Sequence, residues 1–225
     1  DLFNDLINRT IFAVTQEDAR YALNGALLEI DSKTIRMVAT DAHRLAMVEE
    51  AISSATEVKA IVPKKTLTEL RNLGKGEEML FSQDKNHLFF KVGHRVLASR
   101  VIEGQFPSYE KVIPPENPLA VVFTKETMAG AIRRVSLLAS ERSRAVKFTL
   151  SSGEAIVSSS NPELGEAKES VAVQYEGSEL EVCFNAQYIL DFLTAVEGEE
   201  VVLRLKDPAS QGLLEPHKQS SETSK

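Results

Sequence analysis

The sequence predicts an α+β protein built twice over, with two helices on one face of curved antiparallel sheets in each half. Three observations carry that expectation. The run Ile113-Pro114-Pro115-Glu116-Asn117-Pro118 forbids helix and ladder continuation, so it reads as an extended linker dividing a domain at 1–115 from one at 118–225. On each side of it the elements follow one order, the mark of an internal repeat. The chain is also long enough for two ordinary cores: its 225 residues are 43% hydrophobic and 26% charged, the composition of a folded protein.

The first half opens on a helix, because Leu2, Phe3, Leu6 and Ile7 recur at helical spacing. Gly25–Ile30 and Ile35–Thr40 read as a hairpin about the turn Asp31-Ser32-Lys33, and Arg44–Val48 as the next strand. The apolar run Ala60-Ile61-Val62-Pro63 leads straight into a helix over Lys64–Leu73. Three β-rich runs close this half: Glu78–Ser82, His87–Val92 and Val96–Glu103. In the second half a strand at Ala120–Phe123 precedes Thr124, placed to cap a helix over Lys125–Ser140 with the stripe Met128, Ala131, Ile132, Val135, Leu138. A hairpin follows, Ala145–Leu150 and Ala155–Ser159 about Ser151-Ser152-Gly153, then a strand at Ala167–Tyr175. Glu181–Asn185 runs into a helix over Ala186–Val196, and Val201–Leu205 is the last clear strand before Asp207–Lys225 turns polar. The first copy is therefore expected to lack a strand upstream of Asp1, and the second to lack its closing strand.

Several function classes fall away. No stretch approaches eighteen apolar residues, and the start has no basic region followed by an apolar run, so neither a membrane span nor a signal peptide is expected. His43, His87, His94 and His217 are scattered and the single cysteine, Cys183, sits in an apolar run, where a buried inert thiol is expected. With neither zinc spacing nor a glycine-rich phosphate loop, no metal or nucleotide cofactor is expected. Asp41 and His43 could form an acid/base pair with Ser108 as nucleophile, yet no nucleophile elbow or oxyanion loop accompanies them, and the chain is read as non-enzymatic. The net charge of −7 and the absence of tryptophan argue against tight DNA binding and a base-stacking platform. The helix faces turned from the core nevertheless lean positive: Arg133 and Arg134 beside Glu126 in one, Lys64, Lys65 and Arg71 in another.

Five runs together resemble one family: Tyr21-Ala22-Leu23-Asn24-Gly25; Ala39-Thr40-Asp41-Ala42-His43-Arg44-Leu45-Ala46; Gly104-Gln105-Phe106-Pro107-Ser108-Tyr109; Ser160-Asn161-Pro162-Glu163; and Phe184-Asn185-Ala186-Gln187-Tyr188-Ile189-Leu190-Asp191. They resemble the bacterial DNA sliding clamp, the beta subunit of DNA polymerase III, in its second and third domains. The resemblance departs in having no first domain before Asp1, Ala42 where the pattern has glycine, and no closing Val/Met-Pro-Met strand by Lys225.

The resemblance implies a processivity factor of the bacterial cytoplasm, associated with the nucleoid, whose full protein forms a head-to-tail homodimer ring around duplex DNA. This chain alone is expected to be monomeric. The implied partners are the replicative polymerase catalytic subunit, the clamp loader, repair polymerases and mismatch-repair proteins, all through short peptide motifs. The implied peptide groove comprises Leu23, Thr40, His43, Arg44, Leu45, Pro107, Lys111, Val112, Asn185 and Tyr188. The implied DNA-facing residues are Arg20 and Tyr21 on the loop before the first strand, Lys65, Arg100, Arg133 and Arg134. A sliding ring must not grip any phosphate long enough to stop, so a few basic groups in an acidic subunit suit it. The competing reading is a duplicated α+β protein-binding module unrelated to replication.

Overall fold

A computed structural model describes residues 2–15, 18–54, 56–73 and 78–217, without the side chains of 18–20. The chain divides into two compact units, Asp1–Tyr109 and Glu110–Lys225. The division falls a few residues ahead of the proline-rich run. Tyr109 is hydrogen-bonded to Glu29 and Arg36 of the first unit, whereas Asn117 donates to the carbonyls of Arg204 and Gln211 in the second.

In the first unit, helix α1 (Leu2–Asn8) buries Leu6 and Ile7, and the Thr10 hydroxyl closes it by donating to the Leu6 carbonyl at 2.7 Å. Strands β1 (Gly25–Ile30), β2 (Thr34–Thr40), β3 (Leu45–Ala51) and β4 (Val58–Pro63) form one antiparallel sheet in the order β3-β2-β1-β4. Asp31 makes the expected first hairpin, its Oδ1 accepting from the backbone N–H groups of Lys33 and Thr34. Helix α2 (Lys64–Asn72) follows β4 directly, and β5 (Met79–Gln83), β6 (His87–Val92) and β7 (Arg95–Arg100) form a second sheet in sequence order. The alternation of β-strand side chains splits the first sheet. Leu28, Met37 and Val62 join Leu6, Leu67, Leu70, Leu88 and Phe90 in the core. Leu27, Val38 and Ile61 point the other way and are still buried, on the face crossed by the segment after β7, whose Ile102 N–H donates to the Ile61 carbonyl at 3.1 Å.

The second unit repeats the plan. Strand β8 (Leu119–Thr124) leads into helix α3 (Lys125–Val135); β9 (Ala145–Ser151), β10 (Glu154–Asn161), β11 (Gly165–Ala172) and β12 (Leu180–Asn185) form a sheet in the order β11-β10-β9-β12. Helix α4 (Ala186–Ala195) follows β12, as α2 follows β4. The register is shared: Gly25 pairs with Pro63 in one unit and Ala145 with Asn185 in the other, each at a strand-to-helix junction. The class is α+β, with helices and antiparallel sheets around one core per unit.

Five expectations are corrected in detail. A short strand, β14 (Leu213–Pro216), pairs with β13 (Glu200–Leu205), which also pairs with β8; it is four residues ending in proline, too short for alternation to reveal. The helix over Lys125–Ser140 ends at Val135 and tightens to a 3-10 turn over Ser136–Leu138. Thr124 stands at its N-cap with no capping hydrogen bond from its side chain. The strand expected over Ala167–Tyr175 ends at Ala172, and Gln174 pairs instead with Val122 of β8. Cys183 is exposed: Val182 is buried, so strict alternation turns Cys183 outward, opposite Lys147.

Candidate functional site

The turn between β2 and β3 is built by its own side chains. Thr40 Oγ1 donates to the Arg44 carbonyl at 2.7 Å and accepts from Ala42 N–H at 3.1 Å. Asp41 Oδ1 accepts from the N–H groups of His43 and Arg44, both at 2.9 Å, and its Oδ2 from Arg44 Nε at 3.2 Å. The carboxylate therefore organises the turn and leaves His43 exposed at the tip. Ala42 takes a positive φ of 70°, the left-handed region that favours glycine.

Arg44 is spent largely within the fold. Its Nη2 donates to the Phe12 carbonyl at 2.7 Å and its guanidinium lies 5.3 Å from the Phe12 ring centroid, a cation–π arrangement. Lys64, at the start of α2, donates to the neighbouring Val14 carbonyl at 2.9 Å; burial and the nearby charge of Arg44 lower its pKa. Phe12 and Lys64 thus belong to the site's foundation although the sequence reading did not assign them there. Nothing in a single sequence links Phe12 to a turn 32 residues away.

Leu45 opens β3 opposite Thr40 and is half-buried; Met47, on the same face two residues on, is exposed and lies opposite Val38. Together they make a partly open apolar strip beside the His43 tip. Period-two spacing was enough to pair Met47 with Leu45, and the sequence reading omitted it. Leu23 is nearly fully buried at the end of a 3-10 turn over Asp18–Leu23, so it is wall or core rather than an exposed contact. Pro107, Lys111 and Val112 are exposed, on either side of the buried Tyr109. In the second unit Asn185 caps α4: its Oδ1 accepts from Gln187 N–H at 2.9 Å, and its Nδ2 donates to the Ser143 carbonyl at 3.3 Å. Tyr188, one turn into α4, is half-buried. The structure therefore brings Thr40, His43, Arg44 and Leu45 together as one local device and places the rest by element.

Two family models cover the chain: the DNA polymerase III beta subunit central domain matches residues 1–108, and the C-terminal domain of that subunit matches residues 110–224. The chain belongs to the DNA polymerase III beta subunit family. The beta sliding clamp of Pseudomonas putida is 38% identical over 214 residues, covering 93% of this chain and 58% of its own length. That of Proteus mirabilis is 39% identical over 209 residues, covering 91% and 57%. A solved sliding clamp of Pseudomonas aeruginosa, bound to griselimycin, matches with a TM-score of 0.92 at 36% identity over 97% of this chain and 60% of that one. The chain thus spans about 58% of the length of the curated clamp it matches in Pseudomonas putida.

Within this beta subunit chain the basic candidates differ in freedom. Tyr21 is exposed on the 3-10 turn that replaces the expected loop, while the Arg20 side chain lies outside the described residues. Lys65 and Arg100 are exposed next to Thr66 and Ser99, whose hydroxyls meet at 2.6 Å and tie α2 to β7. Arg133 is exposed near the end of α3. Arg134 is held by Glu169 of β11 in a two-point pair, at 2.5 and 2.6 Å, which raises the arginine's pKa and lowers the glutamate's. Its charge is largely answered inside the protein. Among the described residues no helix is long and apolar enough to cross a membrane.

Proposed function

We propose that this chain supplies the peptide-binding part of a DNA polymerase processivity clamp, which in the longer protein encircles duplex DNA as a homodimer ring in the bacterial cytoplasm, at the nucleoid. The observation that carries the reading is the Thr40–Asp41–Arg44 hydrogen-bond device, which presents His43 beside the half-open strip of Leu45 and Met47. A groove for short peptides needs apolar wall with a few polar anchors. Leu23, Thr40, Leu45, Pro107 and Val112 serve as wall, and His43, Arg44, Lys111 and Asn185 as anchors, with Tyr188 as a further contact. The peptides come from the replicative polymerase, the clamp loader, repair polymerases and mismatch-repair proteins.

The chain acts without catalysis. Asp41 is engaged by two backbone N–H groups and Arg44, a turn-building role that answers its charge. Lys65, Arg100, Arg133, Tyr21 and Arg20 face DNA and contribute weak, salt-dependent contacts; Arg134, paired with Glu169, contributes least.

Calorimetry with a short peptide containing glutamine, leucine and phenylalanine tests the reading. Leu45→Ala should cost about 1–3 kcal/mol of affinity if Leu45 is an anchor, while Arg134→Ala should leave affinity unchanged. Equal losses from both would refute the assignment. A double-mutant cycle between His43 and Tyr188 reads whether the two act on one peptide.

A further inference from the structure

On the face of the first unit's main sheet opposite the core, one side chain from each strand forms a charged row in register: Glu49, Arg36, Glu29 and Lys59. Lys59 Nζ lies 2.8 Å from Glu29 Oε1, Arg36 Nη1 3.4 Å from Glu29 Oε2, and Arg36 Nε donates to Glu49 at 2.7 Å. Tyr109 completes this row from outside the sheet. Its hydroxyl donates to Glu29 Oε2 at 2.7 Å and accepts from Arg36 Nη1 at 2.8 Å, and the residue is only 3% exposed.

The duplicated fold supplies its own control. By the shared register, the matching row of the second unit is Ser170, Ile156, Thr149 and Glu181. Neither central position of that row carries a charge, and the second unit's own cross-strand ion pair, Lys147 with Glu181 at 2.8 Å, lies at exposed side chains. In the first unit the row does something that sheet formation alone does not require.

What it holds is the end of the segment after β7. That segment is tied to the sheet at Ile102, whose N–H bonds the Ile61 carbonyl, is buried again at Phe106, and is tied once more at Tyr109. Pro107 lies two residues before this second tie; Lys111, in the same 3-10 turn as Tyr109, and Val112 lie just after it, and all three are exposed. We propose that Tyr109, docked on Glu29 and Arg36, is a positioning residue for peptide recognition, fixing the stretch Pro107–Val112 in its binding geometry without touching the peptide. The inference rests on the peptide-groove reading above. Its physical content is preorganisation: a surface already ordered in the free protein has less entropy to lose when the peptide lands.

The test uses the full 225-residue chain and a labelled peptide containing glutamine, leucine and phenylalanine. Tyr109→Phe keeps the buried ring and removes only the hydroxyl. It should raise Kd about three- to tenfold, mainly through faster dissociation, and speed amide exchange at residues 108–112 while β1 and β2 keep their protection. Glu29→Gln retains an acceptor and should bind close to wild type. Glu29→Leu should match Tyr109→Phe, and the double variant should be no worse than either, since one device has been removed twice. Should Tyr109→Phe fail to fold, the contrast between Glu29→Gln and Glu29→Leu decides the matter by the same two readouts. Tyr109→Phe binding with wild-type affinity would overturn the positioning role alone. A wild-type chain that does not bind the peptide would overturn the groove reading, and this inference with it.

Discussion

Replacing Ala42 by glycine should stabilise the first unit, an unusual direction for a substitution that removes a methyl group. Ala42 sits at φ 70° in the turn between β2 and β3, exposed, with its N–H engaged by Thr40 Oγ1. A left-handed conformation costs an L-residue about 1–2 kcal/mol through the clash of Cβ with the following carbonyl. Glycine removes that cost but returns about 0.4–1 kcal/mol, because its unfolded chain is freer. The net is a gain of about 0.5–1 kcal/mol, since the methyl group that is removed belongs to an exposed residue. Gly153 provides the mirror experiment. It turns the β9–β10 hairpin at φ 77°, and a Cβ added there meets nothing within 4 Å, so Gly153→Ala isolates the same backbone cost with opposite sign. Urea unfolding with unchanged m-value should show the Ala42→Gly midpoint raised and the Gly153→Ala midpoint lowered. Peptide affinity of Ala42→Gly should stay within about twofold, because the turn is set by the Thr40 and Asp41 hydrogen bonds rather than by the methyl group. A lower midpoint for Ala42→Gly, or a higher one for Gly153→Ala, would refute the strain argument.

Arg44→Ala should destabilise the first unit by about 1.5–3 kcal/mol, the range for hydrogen bonds to a charged group, because it removes the guanidinium's bonds to the Asp41 carboxylate and the Phe12 carbonyl together; chemical denaturation measures it, and a loss below about 0.5 kcal/mol, the scale of an ordinary surface change, would show that these bonds do not hold the turn. Acid stability should report on Glu29. Burial opposes its ionisation, but hydrogen bonds from Lys59 and Tyr109 and the charges of Lys59 and Arg36 outweigh that and hold its pKa below the ordinary 4.5. A carboxyl with a depressed folded pKa contributes stability that is present above its unfolded pKa and is lost as the pH falls through the folded value. Wild type should therefore lose stability more steeply than Glu29→Gln on acidification below about pH 4.5, and parallel curves would count against it. Tyr109 should titrate with its pKa pushed up to about 12 by burial and by its hydrogen bond to Glu29, readable from its ultraviolet absorbance against Tyr109→Phe.

The parts of this protein that could be read from its sequence are those whose physics is local. The helical spacing of Leu6 and Ile7, the alternation through β1, β2 and β9, and Asp31 at its turn each act within a few residues, and each element formed where expected. The turn motif around Asp41 was legible for the same reason, since its hydrogen bonds span at most four residues. The apolar run around Cys183 reads as buried on both faces, yet only alternate residues of its strand face the core and Cys183 faces outward. The structural role of Arg44 leaves no trace in the sequence, because the Phe12 carbonyl and ring that it engages are 32 residues away. Tyr109 lies 80 residues from Glu29 and 73 from Arg36, and a carboxylate, a guanidinium and a phenol on three separate segments leave no periodic trace. A charged pair at these two central positions is not needed for a sheet to form, since the matching positions of the second unit hold Thr149, which bonds Glu181, and Ile156. Where one copy of a duplicated fold docks a buried tyrosine on a part-buried ion pair and the matching positions of the other copy carry no such pair, the network is better explained by what that copy must hold still than by what the fold must hold together.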